Sequence, residues 1–305
     1  MADERHYFAD LRFDVPEKDG PTYKERAHLA PPAAKDSVEE RLELHDMRTS
    51  PEIVKGGAGL DVQGFTYLQH RSVVQDELLA GRNVEDVYIP ELQDLLCQIT
   101  GAKKALVDSV LFRRKNVGVY VPPKDVVLRG TPLGDALASM PKDGVNNCSI
   151  NGLRDTIRYC RDDIKAAALP TIKAEDAGET PRYALYSMWR PLKTVRRDPL
   201  AICDFRTLDN DTEEIDFASL SNITDDGEFL MHSLLGLPPK RPIKQKWYFL
   251  PEQQPDELVV VKFADTGSDT DSSIAPYGLH LSPKLVGQEE EEVRQSVEAR
   301  VFAFF

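Results

Sequence analysis

Arg182-Tyr-Ala-Leu-Tyr-Ser-Met-Trp189-Arg190-Pro191-Leu192 opens the part of the chain that reads as β-structure. Residues 183–189 form a short apolar run. Similar apolar or alternating runs recur at 200–205, 228–234, 247–250, 258–263 and 297–304, with turn residues between them. Upstream the period changes. Tyr88, Leu92, Leu95, Leu96 and Ile99 recur at helical spacing, with Pro90 in the first turn and Gly101 as the stop. Strand-like runs follow at 104–110 and 117–121. A proline- and glycine-rich connection at 122–144 is long enough to carry function or to move, and its sequence does not say whether it forms a lid. Leu153, Ile157, Cys160 and Ile164 give a second amphipathic helix, which Pro170 should end. Residues 1–50 are polar and proline-punctuated, and read as an N-terminal arm packed on a single domain at 51–305. Helices gathered early and strands gathered late predict an α+β fold with a sandwich or small barrel at its core.

Composition narrows the function classes. The 305 residues are 41% apolar and 29% charged, enough for a substantial core. Lys and Arg number 38 against 51 Asp and Glu, so the net charge is 38 − 51 = −13. The basic residues are scattered, and the only sizeable like-charge run is acidic, Glu289 to Glu292. Nothing would offset phosphate repulsion, so neither nucleic acid nor a membrane surface is expected as a partner. Cys97, Cys148, Cys160 and Cys203 lie far apart without CxxC spacing and read as reduced thiols. No run of about 18 apolar residues occurs, which predicts a soluble, cytoplasmic protein. A homodimer is left open.

Familiar catalytic signatures are missing: there is no P-loop, no GxGxxG after a strand, no GxSxG and no HExxH. Of the six histidines (His6, His28, His45, His70, His232, His280) only His45 is followed directly by a carboxylate, Asp46, and such neighbours point apart on a strand. All but His280 read as surface or core histidines.

Several blocks nevertheless occur in a telling order. The opening stretch runs into Asp198-Pro-Leu-Ala-Ile-Cys-Asp204. Lys246-Trp247-Tyr248-Phe249, Asp256-Glu257-Leu-Val-Val-Val-Lys262 and Arg294-Gln-Ser296-Val-Glu298-Ala-Arg300 follow. Upstream stand His45-Asp-Met-Arg48, Gln63-Gly-Phe65 and Thr100-Gly-Ala102. In order and spacing this resembles a fungal family of iron(II)/2-oxoglutarate oxygenases that includes the gibberellin desaturase and relatives of the cephem methoxylase, over about residues 40–305. The resemblance implies a double-stranded β-helix (jelly-roll) core with flanking helices, acting on small molecules of secondary metabolism. It also implies iron held by two histidines and one carboxylate, the first two ligands forming a His-x-Asp or His-x-Glu pair.

This chain departs from that pattern where the metal would sit. No histidine is followed two residues later by Asp or Glu. Asn146-Asn147-Cys148-Ser149 stands where the family carries the pair, and Tyr277 of Ala275-Pro276-Tyr277-Gly278 falls on the distal histidine. His280 could replace it only if the register slips. Arg294, Ser296, Glu298 and Arg300 share one strand face. Arg294 and Ser296 match the residues implied to hold the far carboxylate of 2-oxoglutarate, a task suited to a guanidinium fork; an ion-paired strand face is the equal alternative. Trp189 and Trp247 read as core, or as walls of an apolar pocket. Asp204 and Lys262 are expected in structural ion pairs.

The expected function is a metal-independent cyclase or isomerase on this scaffold, with no cofactor, binding a small apolar terpenoid or polyketide. It would promote a non-oxidative rearrangement such as a pericyclic [4+2] cycloaddition, which needs a shaped cavity and one or two hydrogen-bond donors. Tyr277, Asn147, Arg294 and His280 are the expected catalytic residues, and Ser149, Trp189, Trp247 and Ser296 the substrate-binding ones. The first alternative is an ordinary hydroxylase or desaturase using iron(II) and 2-oxoglutarate. The second is a catalytically inactive partner of an active homologue.

Overall fold

The computed structural model describes residues 6–15, 36–74, 79, 81–113, 127–128, 131–132, 146–208, 217–224 and 227–305. The expected strand at 117–121 and most of the 122–144 connection lie outside them. Strands β1 (Tyr7–Val15) and β2 (Asp36–Asp46) come first, then α1 (Gly57–Val62), β3 (Phe65–Gln69), α2 (Ile89–Thr100) and β4 (Lys104–Arg113). The short strands β5 (Val127–Leu128) and β6 (Thr131–Pro132) pair with each other, and β7 (Asn146–Cys148) leads into α3 (Ile150–Tyr159) and α4 (Asp162–Asp176). The rest is β8 (Tyr183–Pro191), β9 (Ala201–Cys203), β10 (Phe217–Thr224), β11 (Gly227–Leu235), β12 (Trp247–Phe249), β13 (Glu257–Asp265), β14 (His280–Leu281), β15 (Lys284–Leu285) and β16 (Ser296–Phe304).

The central sheet has the order β3-β13-β8-β16-β4, with every neighbour antiparallel. Strand alternation divides its faces. Val297, Ala299, Val301 and Ala303 of β16 point to one side with Tyr186 and Met188 of β8, and bury against Leu92 and Leu96 of α2. On the other side Trp189, Val259 and Val261 pack against Ile202 and Tyr248 of a second sheet, ordered β14-β9-β12-β2-β1-β15. Further along that same inner face Tyr183, Leu185, Phe302 and Phe304 meet Leu153 and Ile157 of α3 and Ile164 and Ala168 of α4. A third sheet, β10-β11-β7, joins Cys148 to that cluster and Leu234 to the opposite face of the six-stranded sheet. The expected α+β architecture is therefore present, with sheets facing one another across an interior.

Three local differences from expectation have physical reasons. The segment read as a polar arm supplies β1 and β2, which pair over nine residues inside the six-stranded sheet. Ala9, Leu11 and Phe13 are buried and alternate with Asp10 and Arg12, a period-two signal in a stretch of polar composition. The helix expected around Leu153–Ile164 is two helices. Cys160 is extended between them, and the Arg161 guanidinium bonds the carbonyls of Asp108 (2.7 Å) and Val107 (2.9 Å) on β4. Pro170 lies within α4 and does not end it. The helix is carried past the proline by buried Ile164 and Ala168, by Ile172, and by Glu175, which accepts from the Tyr183 hydroxyl at 2.8 Å and pairs with Arg154 and Arg158. By contrast α2 ends where expected, at Gly101 with φ 74°. The cysteines are free. Among the described residues no helix is long and apolar enough to cross a membrane.

Candidate active site

A polar belt crosses the inner face of the central sheet between its two apolar ends. Strand register sets it: Arg300 lies opposite Ser187, Glu298 opposite Trp189, and Ser296 between Pro191 and Arg113. The Ser187 hydroxyl donates to Glu298 Oε1 at 3.1 Å, and Arg300 Nε lies 3.6 Å from the same oxygen. Arg300 also sits over the Phe263 ring, 5.5 Å from its centroid. The His280 ring stacks on Phe263, with centroids 5.0 Å apart and planes 16° apart, while its Nδ1 lies 3.1 Å from the Gly278 carbonyl. Burial pushes the His280 imidazole below its usual range, and nearby Arg300 and Arg113 add to the effect against the Gly278 carbonyl and Glu298. The ring is therefore neutral near neutral pH.

Arg294 enters the belt from the loop before β16. Its Nη1 donates to the Asp198 carbonyl at 2.5 Å, to the Pro199 carbonyl at 3.3 Å and to the Ser282 hydroxyl, and its guanidinium lies 5.7 Å from the Trp189 ring centroid. Burial, with the charge of Arg113, lowers its pKa to about 10. One edge of the guanidinium is thus committed to holding the chain around 198–199.

The eight expected site residues separate in the structure. Arg294, His280, Trp189 and Ser296 gather on or beside the belt. Ser149 is buried as the N-cap of α3, its hydroxyl accepting from Gly152 N at 2.9 Å. Trp247 belongs to another core. Fully buried on the six-stranded sheet, it meets Phe13 edge-on and donates Nε1–H to Gln245 at 3.1 Å. The Tyr277 ring packs into that same core with Leu234 and Leu279, edge-on to Phe205. Asn147 lies on β7 opposite Leu234, and its side chain falls outside the described residues. Glu298, Arg300, Ser187 and Phe263 were not expected in the site. The even spacing from Arg294 to Arg300 placed two of them on the right face, but which way that face pointed depended on the register with β8.

Among the described residues the side chains on the belt do not fit an iron centre of the two-histidine, one-carboxylate type. His280 is the one histidine on the belt among the described residues, with Phe263 against its ring. Among the described residues no three His, Cys, Asp or Glu side chains converge as metal ligands.

The blocks that carried the resemblance have structural duties. Arg48 forms a two-pronged pair with buried Glu257, both contacts 2.7 Å, joining segments that are 209 residues apart. Gln63 bonds both the N–H and the carbonyl of Val54. Lys262 is fully buried, 2.9 Å from Asp61 and 2.7 Å from Asp265, and Arg182 reaches the same two carboxylates. Asp204 pairs with Arg206 at 2.6 Å.

Facing sheets around an interior of this kind define the oxygenase-type jelly roll. A solved variant of the iron and alpha-ketoglutarate-dependent endoperoxidase NvfI superposes with a TM-score of 0.70 at 18% identity, covering 100% of this chain and 99% of that one. Residues 11–304 match the family described as "Oxidoreductase/YMDC permease-like domain", and the chain belongs to that family. The gibberellin cluster GA4 desaturase of Gibberella fujikuroi is 28% identical, with 88% of each chain covered. Oxidoreductase chry3 of Gibberella zeae is 26% identical over 93% of this chain and 95% of its own. The alpha-ketoglutarate-dependent dioxygenase phiK of a fungal species is 24% identical over 81% of this chain and 79% of its own.

Proposed function

We propose that this chain is a secondary-metabolism enzyme that works without metal or cofactor, and that it closes or rearranges the carbon skeleton of a small, largely apolar substrate inside the barrel. A [4+2] cycloaddition fits this reading best. The observation that carries it is the pairing of a retained scaffold with a changed interior. In sequence Asn146-Asn147-Cys148 and Tyr277 stand where the resemblance assigns iron ligands, and the Tyr277 ring packs into a separate core, while fixed donors and charges line the inner face. Such a reaction needs no strong acid or base. It needs the reactive conformer held in place and a donor aimed at the oxygen that gains charge. Trp189, Phe263 and the neutral His280 ring supply apolar and aromatic walls, and the guanidiniums supply donors.

The test is an anaerobic titration of metal-stripped protein with iron(II) and 2-oxoglutarate, following the visible charge-transfer band and the metal content. The expected result is no band and no retained iron, with polyene or terpenoid substrates converted in the absence of both. A saturable band at one iron per chain would instead make the protein an oxygenase, in keeping with the names of its relatives.

A further inference from the structure

We propose that the substrate carries a carboxylate and that Arg300, rather than Arg294, anchors it. The inference rests on the reading that the barrel interior is the substrate site, and it names the substrate class. Three observations carry it.

The first is placement: Arg300 lies on the inner face of the central sheet opposite Ser187, beside Glu298, in a belt that also holds Arg294. The second is the state of Arg300 itself. Its Nε–H is buried without a hydrogen bond, and among the described residues its carboxylate neighbour is Glu298 at 3.6 Å, beyond hydrogen-bond reach. A third of the side chain is nevertheless accessible, 33%, although its strand position faces the interior. Accessible space therefore adjoins a guanidinium that lies over the Phe263 ring, 5.5 Å from its centroid. That fork is fixed and incompletely used, and a carboxylate accepts two parallel N–H bonds from such a fork. The third is that Arg294 has its Nη1 occupied by two main-chain carbonyls and a hydroxyl.

The alternative source of a carboxylate is 2-oxoglutarate, which the resemblance would place on Arg294 and Ser296. The experiment separates the two sources by titrating the full-length, metal-free chain with decanoate, methyl decanoate and 2-oxoglutarate, followed by tryptophan fluorescence and calorimetry. Decanoate is expected to bind about tenfold or more tightly than its ester, as one charge-assisted bidentate contact provides. Arg300→Gln should remove that preference while leaving the ester unchanged, and Arg300→Lys should restore part of it. Equal binding of acid and ester by the wild-type chain would overturn the proposal, and that arm needs no variant to fold. So would a preference for the acid that survives Arg300→Gln in a folded protein, or a response confined to 2-oxoglutarate and abolished by Arg294→Gln. These binding arms contain no iron and score no turnover. A failed cofactor-free conversion with intact acid recognition would therefore reject the proposed chemistry and leave the anchor standing.

Discussion

Single residues show why a chain keeps a family's signature blocks. The blocks that identify the scaffold tie distant segments together: Arg48 to Glu257, Gln63 to Val54, and Lys262 to Asp61 and Asp265. Lys262 and Asp265 are both completely buried and lie 2.7 Å apart, with Asp61 and Arg182 completing the cluster of opposite charges. Lys262→Met should cost about 3 kcal/mol, because it leaves Asp265 with Arg182 as its remaining cation. Urea melts of Lys262→Met beside wild type would check this; an unchanged midpoint would mean that Arg182 alone suffices. Gly64 is constrained differently. Its φ is +89°, and a Cβ there would lie 2.4 Å from the Tyr277 carbonyl oxygen. Its own carbonyl accepts from Lys262 N, and the Lys262 carbonyl accepts from Gly278 N, so the crossing of β3, β13 and the Tyr277 segment depends on close backbone approach. Gly64→Ala is expected to destabilise by about 1–3 kcal/mol through strain and overpacking. A thermal melt within error of wild type would show that the crossing can open.

Elements were legible in proportion to how strongly their own sequence decided them. α2 has its apolar spacing, its early proline and its terminal glycine within one segment, and it forms as read. Strands β8, β11, β12, β13 and β16 also fall on the runs read from sequence, and in β8, β12 and β13 burial on both faces makes each a short apolar block. β9 is shorter than its run, since Asp204 bonds Arg206 N and turns the chain into a 3-10 turn. Pro170 does not end α4 because tertiary contacts override a local breaker. In α4 it removes one backbone donor, yet Ala168, Ile172 and Glu175 hold the turns on either side of it. The proline therefore weakens a helix that would be stronger without it. Pro170→Ala should raise stability by roughly 1–3 kcal/mol, because the exposed position gains an N–H donor and loses a ring clash. Calorimetric melting tests this. A lower melting temperature would mean that α4 needs the bend.

The interior is a property of the whole molecule, and for that reason the site was less legible than the fold. Trp189 and Trp247 look alike as sequence, each on a short apolar run, yet one faces the belt and the other a separate core. Their assignment depends on which sheet each strand joins, which is fixed by pairings between segments far apart in the chain. The charge pattern has the same long-range origin, and it gives the molecule a defined response to acid. The Arg48 fork, aided by Gln254 and Gln69, outweighs burial and holds Glu257 below its ordinary range of about 4.5. Lys262 and Arg182 hold Asp61 low despite its burial. Glu52, bonded through its own backbone and by Lys246 and Tyr248, is lowered to about 2. Each carboxyl group has a lower pKa folded than unfolded, so the unfolded chain takes up protons first as the pH drops. Their stabilising contribution is complete above about pH 4.5 and disappears as the pH falls through the folded values, toward 2 for Glu52. Urea midpoints should therefore be level between pH 7 and 5 with respect to these groups, and fall steeply below. In Glu257→Gln the neutral-pH midpoint should drop and the acid limb should flatten, because the group that titrated on that limb is gone. If the variant and wild-type curves run parallel down to pH 3, the Arg48–Glu257 tie contributes nothing to acid sensitivity, and the loss must originate in the remaining carboxylates.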